Sequence, residues 1–269
     1  MPPGSDWVSE LFLRRPELFL RIMEREEMLQ RGEKLAEAIA DLLRERGMAG
    51  AKVLDVGCGV GRVAIPLAKL GFTVVGLDIS PLYLRRARER AEGEGVAEST
   101  RFLEGDARSM ADLLAEHSPF DAVLFVWTSV LGYYDEETDL DVLRQAKRLT
   151  RQGGLLLILD TANRDYTAFA ASFCGHSFFS DYGDFAVVEV HEYDPQSSRV
   201  RTRWTFYEKR GRDLKYVGES GYDVRVYALH ELVSLAGRAG WRFKEAFRNL
   251  GQRTPFRPVG PLNVIFEAV

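Results

Sequence analysis

Apolar positions along the chain fall into several regimes of spacing. Over residues 7–46, Leu18, Ile22 and Leu29 recur near helical intervals among Glu, Arg and Lys, and Leu35, Ala38, Ile39, Leu42 and Leu43 continue the stripe. This spacing predicts an amphipathic helical segment, ended by Gly47 and Gly50. From residue 52 the period changes. Short apolar runs at 53–56, 73–77, 101–104, 122–126 and 155–159 alternate with helical stretches at 62–70, 81–92, 110–116 and 139–149. Strands and helices in strict alternation predict a parallel sheet covered on both faces, because each parallel return needs a crossover and buries both sides of the strand.

After Asp160 the alternation stops. Residues 186–193, 199–209 and 214–226 are strand-like, and the turns between them, Asp194-Pro195-Gln196-Ser197 and Gly211-Arg212-Asp213, suit antiparallel neighbours. Residues 229–239 then read as a helix ending at Gly240, with strand-like stretches at 242–247 and 263–268 to complete the main sheet. No internal repeat interrupts this order.

Composition narrows the function classes. The 269 residues are 46% hydrophobic, ample for a buried core, and carry 36 Lys plus Arg against 40 Asp plus Glu. A net charge of -4 gives no field to gather nucleic acid or an anionic membrane. Cys58 and Cys174 are too few for a disulfide framework and lack the spacing of a zinc site, so neither a metal nor an oxidising compartment is expected. Residues 1–6 show no basic region before an apolar run, and no stretch is long and apolar enough to span a membrane. The expectation is a cytoplasmic monomer or homodimer without nucleic-acid or membrane partners.

The chemistry begins at Val53-Leu54-Asp55-Val56-Gly57-Cys58-Gly59-Val60-Gly61, a buried strand running into a glycine loop before a helix. Such a loop turns tightly and lets a ligand lie against backbone N–H groups at the positive end of the helix. A dinucleotide loop needs a glycine at the sixth position counted from Gly57, which here is Arg62, and no Gly-Lys-Ser/Thr follows for a phosphate loop. The segment resembles the first motif of the class I S-adenosylmethionine-dependent methyltransferases, in which an acid precedes Gly-x-Gly-x-Gly by two positions. Leu77-Asp78-Ile79-Ser80-Pro81 ends the second strand with an acid, and Leu103-Glu104-Gly105-Asp106-Ala107-Arg108 follows the third. All three turns sit at the carboxyl ends of strands, where open α/β sheets bind ligands. Phe120-Asp121-Ala122-Val123, the stretch 148–156 and Ala239-Gly240-Trp241 extend the resemblance.

The resemblance implies a Rossmann-like seven-stranded, mostly parallel sheet with helices on both faces. It also implies S-adenosylmethionine as methyl donor and S-adenosylhomocysteine as product, with no metal. Asp55, Gly57, Cys58, Gly59, Gly61, Asp78, Ile79, Asp106, Ala107 and Val126 would bind the cofactor. Asp78 would accept the ribose hydroxyls, Ile79 would pack on the adenine and Asp106 would face its amine. Asp78 and Asp106 could instead act as helix caps, although for the first of these Ser80 before Pro81 is the better cap. The expected organisation is an N-terminal helical segment or lid (1–50), a cofactor-binding core (51–165 and 227–269) and an antiparallel insertion (166–226) covering the acceptor.

The acceptor is expected to meet residues 126–134, Val-Trp-Thr-Ser-Val-Leu-Gly-Tyr-Tyr. This segment lacks Asn/Asp-Pro-Pro-Tyr/Phe and a Pro-Cys pair, which argues against methylation of nucleic-acid bases. It looks like the Thr-Ser-Phe-Gly-Tyr-Phe pattern of small-molecule methyltransferases related to glycine and amino-sugar N-methyltransferases, with one extra residue at Val130-Leu131. Methyl transfer from a sulfonium is an in-line displacement that needs orientation and exclusion of water. An amine needs no strong base; a hydroxyl does, and Tyr133, His176, His191 and Asp181 are the candidates, with Tyr133 and His176 taken as catalytic. The aromatic stretch 169–184 could wall the acceptor pocket or form core, and Arg199, Arg201 and Arg203 could form a solvated strand face or an anion site. The function expected is methyl transfer to N or O of a small molecule; the alternatives are an RNA or protein acceptor, or a non-catalytic cofactor-binding module.

Overall fold

The computed structural model describes residues 6–173 and 176–269; Cys174 lies outside the described residues. Strands β1 (Lys52–Val56), β2 (Thr73–Asp78), β3 (Thr100–Glu104), β4 (Phe120–Val126) and β5 (Thr150–Thr161) pair in parallel, and β10 (Trp241–Asn249), β11 (Thr254–Pro255) and β12 (Leu262–Ala268) join antiparallel beyond β5. The order is β11-β10-β12-β5-β4-β1-β2-β3. The chain therefore reverses direction beside β1, the switch point at which a crevice opens over the strand ends. The seven expected strands are all present. The eighth, β11, has two residues, one of them Pro255, and no hydrophobic run announces it.

Period-two alternation in the strands divides the core. Val53, Leu124 and Leu157 point to one face, packing on α3 (Glu26–Glu45), α4 (Ala64–Lys69) and α5 (Pro81–Gly93) through Ile39, Leu43, Leu67 and Leu84. Leu54, Val123 and Leu156 point to the other, meeting α7 (Glu136–Leu149) and α9 (Leu229–Arg238) through Leu140, Leu143, Leu232 and Leu235. The short α6 (Met110–Leu113) follows β3.

Between β5 and α9, helix α8 (Arg164–Phe173) leads into a separate antiparallel sheet in the order β6-β7-β8-β9, formed by β6 (Ser177–Asp181), β7 (Phe185–Asp194), β8 (Arg199–Arg210) and β9 (Asp213–Arg225). The sequence predicts three of these strands. The fourth, β6, falls in the aromatic stretch 169–184, which is not core: Phe173, Phe178 and Phe179 are exposed, and only Tyr182 reaches the site described below. Arg199 and Arg201 both engage Asp223 on the neighbouring strand, which favours the solvated-face reading over an anion site.

The N-terminal stripe is also interrupted. It forms α1 (Trp7–Ser9), a π-helical turn at Glu10–Arg14, α2 (Pro16–Met23) and then α3, because Pro16 begins α2 with no N–H to offer the preceding turn. Trp7, Val8, Leu11, Leu18 and Ile22 pack under the inner face of the second sheet against Phe185, Val187, Trp204 and Phe206.

Candidate functional site

Backbone hydrogen bonds tie the three strand-end turns together. Gly57 and Cys58 N–H both donate to Leu77 O, at 2.7 and 3.1 Å, and Gly105 N–H donates to Asp78 O at 3.0 Å. Gly57 adopts φ +73, and a Cβ there would lie 2.8 Å from Ser129 Cβ, so the loop can approach the end of β4 only with glycine at this position. Asp78 is held at both oxygens: Gly59 N–H donates to Oδ2 at 2.8 Å and Ser80 N–H to Oδ1 at 2.9 Å. Ser80 does not cap α5 with its hydroxyl, contrary to the sequence expectation; that oxygen is buried without a partner among the described residues.

Asp55 is buried beneath the loop and receives no hydrogen bond from the described residues. Burial pushes its carboxyl up to about 7; the nearby Arg62 charge opposes this and the Asp78 charge adds to it. Burial likewise raises Asp78 to about 6, against the hydrogen bonds from Ser80 and Gly59. Arg62 is itself half-buried, its guanidinium 4.5 Å from the centre of the Trp127 ring, and burial lowers it to about 10. Asp106 lines the same space and also caps the next turn: Arg108 N–H donates to Oδ1 at 2.9 Å and Arg108 Nη2 pairs with Oδ2 at 2.6 Å. Partial burial raises this carboxyl, but the Arg108 bonds outweigh that and leave it below its ordinary value.

The ends of β4 and β5 are strained. Trp127, Thr128, Val130 and Asp160 are non-glycine residues with φ of 61, 57, 63 and 52, a region that costs roughly 1–3 kcal/mol per residue and is held only by its surroundings. Trp127 N–H donates to Leu159 O at 3.0 Å, the Thr128 hydroxyl accepts from Ala162 N–H at 3.0 Å, and Arg31 pairs with Asp160. The result is a fixed wall carrying Trp127 and Tyr133.

These elements enclose a cavity of about 670 Å³, well inside the range of roughly 300–1,000 Å³ usual for small-molecule sites. Asp55, Gly57, Cys58, Gly59, Asp78, Ile79, Asp106, Ala107, Val126 and Tyr133 all line it. Gly61 does not; a Cβ there would meet Ile65 at 2.9 Å, so its role is turn packing. The structure does not bring His176 to the cavity: it is exposed, and its backbone oxygen accepts from His191 N–H at the edge of the second sheet. Asp181 is exposed and paired with Lys209. Tyr133 is enclosed by Trp7, 4.7 Å away edge-on, and Phe12, stacked at 6.0 Å. Burial raises its phenol above the ordinary value, which disfavours its phenolate form.

Several lining residues escaped the sequence reading, Arg31, Arg62 and Glu189 among them. Arg31 and Arg62 looked like ordinary helix charges. Glu189 had a legible signal, an acid on the face of β7 that alternation otherwise fills with Phe185 and Val187. Among the described residues, no helix is long and apolar enough to cross a membrane.

Residues 53–154 match a family model described as a methyltransferase domain. The chain is 35% identical over 155 residues to a methyltransferase from Streptomyces halstedii, covering 55% of this chain and 52% of that protein. It is 32% identical over 184 residues to a ubiquinone biosynthesis O-methyltransferase from Methylocella silvestris, covering 65% and 66%. The matches thus span about half to two thirds of the length of these relatives. In fold it is similar to an amino pentose methyltransferase from Micromonospora echinaspora, with a TM-score of 0.68 at 20% identity over 94% of this chain and 96% of that one. With the acid-led glycine loop, the acid ending β2 and the turn after β3 converging on one cavity, residues 53–154 form a methyltransferase domain of the class I S-adenosylmethionine-dependent kind.

Proposed function

We propose that this protein transfers the methyl group of S-adenosylmethionine to a nitrogen or oxygen atom of a small molecule. The observation that carries the reading is the single cavity in which the three strand-end turns face the aromatic wall built by the second sheet and the N-terminal helices. The residues present fit the cofactor. Asp55 is a buried carboxyl group without a donor among the described residues, suited to balancing a positive methionyl end. Asp78 has one backbone donor on each oxygen, which leaves a lone pair on each for the ribose hydroxyls, and Ile79 offers an apolar edge for the adenine. When bound, the cofactor supplies an electrophilic methyl on a sulfonium. Tyr133, Trp7 and Phe12 exclude water beside it and orient the acceptor. An aromatic-walled cavity of this volume favours a small acceptor over a polymer.

Calorimetry with S-adenosylmethionine and S-adenosylhomocysteine tests the reading: binding is expected, and silence with both ligands at millimolar concentration overturns it. Asp78→Ala is expected to weaken binding by ~1.5–3 kcal/mol, roughly 10- to 150-fold, through loss of charge-assisted bonds.

The same titration should depend on pH. In the free protein Asp55 and Asp78 take up protons as pH falls through about 7 and about 6. A ligand that needs them ionised must expel those protons. Affinity should therefore be highest above pH ~7.5 and roughly a hundredfold weaker near pH ~5.5, with proton release visible as a buffer-dependent heat. A flat profile would remove both carboxylates from the binding account.

A further inference from the structure

The second sheet turns toward the cavity a face that follows the two-residue alternation of a half-buried strand. On β7 that face presents Phe185, Val187, Glu189 and His191, opposed by Trp204 on β8 and Tyr222 on β9. Among the described residues, Glu189 is the only charged side chain this sheet contributes to the cavity lining. A carboxylate on an aromatic face is costly unless its hydrogen bonds are met. They are met in part. Trp204, directly opposite in the ladder, donates its indole N–H to Oε2 at 3.0 Å, and the Ser180 hydroxyl donates to Oε1 at 3.0 Å. Both donors are neutral, and each oxygen keeps a lone pair. The side chain remains 22% exposed, and the cavity is where it lines.

Charge around it is one-sided. Of the two arginines in the lining, Arg31 is paired with Asp160 and Arg62 lies over Trp127 while donating to Met28 O. His191 Nε2 stands 3.6 Å from Oε2, and burial, opposed only by the Glu189 charge, holds that ring below its ordinary value and so toward the neutral form. Trp204 and Tyr222 meet edge to face at 5.2 Å beside the carboxylate, and Trp7 lies 6.5 Å from Tyr222. Aromatic rings around a carboxyl group that has no Lys or Arg partner among the described residues form a site for an organic cation.

We infer that Glu189 is the acceptor-binding group of the cavity and that the acceptor presents a protonated amine on a largely apolar body, its nitrogen being the atom methylated. The inference rests on the methyltransferase reading above. In the step it describes, the ammonium gives one proton to Glu189, exposing the nitrogen lone pair. The N–C bond then forms as the S–C bond breaks. The bonding pair stays on sulfur, which passes from sulfonium to neutral thioether. The N-methylammonium product leaves with its charge, and Glu189 returns its proton to solvent.

The experiment uses the whole protein with S-adenosylhomocysteine or methyl-labelled S-adenosylmethionine and a panel of matched primary amines and alcohols on the same aromatic, alicyclic and pyranose bodies. Wild type is expected to bind and methylate amines in preference to the matched alcohols. Glu189→Gln keeps a hydrogen-bond acceptor for Trp204 but loses the charge. It is expected to raise KM for amines at least tenfold while S-adenosylhomocysteine affinity stays unchanged, which also reports correct folding. Glu189→Asp keeps the charge and should recover most of the amine preference. Preference for alcohols in the wild type, an unchanged amine KM in Glu189→Gln, or equal losses in Glu189→Gln and Glu189→Asp would overturn the inference. Failure of the wild type to bind S-adenosylhomocysteine overturns the parent reading instead, and is seen before any acceptor is added.

Discussion

Asp55→Asn should make the ligand-free protein more stable at neutral to basic pH while weakening cofactor binding by about 3 kcal/mol, the scale on which breaking one side of a buried charge interaction operates. The two effects have one cause. Burial raises the Asp55 carboxyl from 3.8 to about 7, outweighing the attraction of Arg62. An acid whose folded value lies above its unfolded value destabilises the fold wherever the unfolded chain is ionised. The penalty is absent below pH ~4, grows as pH rises toward about 7, and is fully present above that. Asparagine has the same shape and no charge to desolvate. The variant should therefore match the parent in urea at pH ~4 and exceed it by roughly 2–4 kcal/mol at pH ~8. Calorimetry at pH ~8 should show S-adenosylhomocysteine binding lost or at least roughly hundredfold weaker. A variant less stable than the parent at pH ~8 would mean that Asp55 is held for structure, through Arg62, and not for a ligand. The expected trade, stability yielded where binding needs a desolvated charge, is characteristic of working sites.

The parts of the site that could be read from sequence are those written in local grammar. Asp55, the glycines after β1 and Asp78 are each fixed by position relative to a strand end, and a strand end is marked by a change of hydrophobic period within a few residues. The parallel core follows from the same signal. What escaped depends on contacts across the chain. Strand β11 exists because Thr254 and Pro255 find β10 beside them, not because their own pattern is extended. Strand β6 pairs with β7 although its phenylalanines stay exposed, so hydrophobicity there marks no core. Arg62 follows the last glycine of the loop, where a helical surface charge is the ordinary expectation; its contacts with the Trp127 ring and the Met28 carbonyl, distant along the chain, turn it inward. His176 and Asp181 were candidates by chemistry alone, and chemistry does not say which side of a sheet edge a residue occupies. Glu189 stands between these cases. Its face was given by alternation, but the identity of what that face covers required the tertiary structure.

Gly132→Ala should produce the largest loss of stability of any single methyl addition in the loop after β4. Gly132 has φ +88, and a Cβ there would lie 2.1 Å from Arg225 O and 3.1 Å from Arg225 C. Both are backbone atoms of β9 and cannot swing aside as a side-chain tip could. The approach is close because the two backbones are bonded: Arg225 N–H donates to Gly132 O at 2.8 Å, while Gly132 N–H donates to the buried Asp139 Oδ2 at 2.8 Å, which also accepts from the Tyr227 hydroxyl at 2.5 Å. Alanine must either push β9 away, breaking the Arg225 bond, or rotate the loop, leaving Asp139 short of a donor in a site where its second oxygen already has none among the described residues. With the unfavourable φ added, the cost should be about 3–5 kcal/mol, or a fall of roughly 10 °C in Tm. The damage should also be directional. Gly132 joins the loop bearing Tyr133 to the second sheet, whereas Gly57, Asp55 and Asp78 are held by β1 and β2. In protein that remains folded at about 20 °C, acceptor KM should therefore rise by roughly tenfold or more while S-adenosylhomocysteine affinity changes by less than about threefold. Equal losses of both would show that the loop and the cofactor turns move as one rigid unit, and a near-neutral Tm would show that β9 yields to the added methyl without cost.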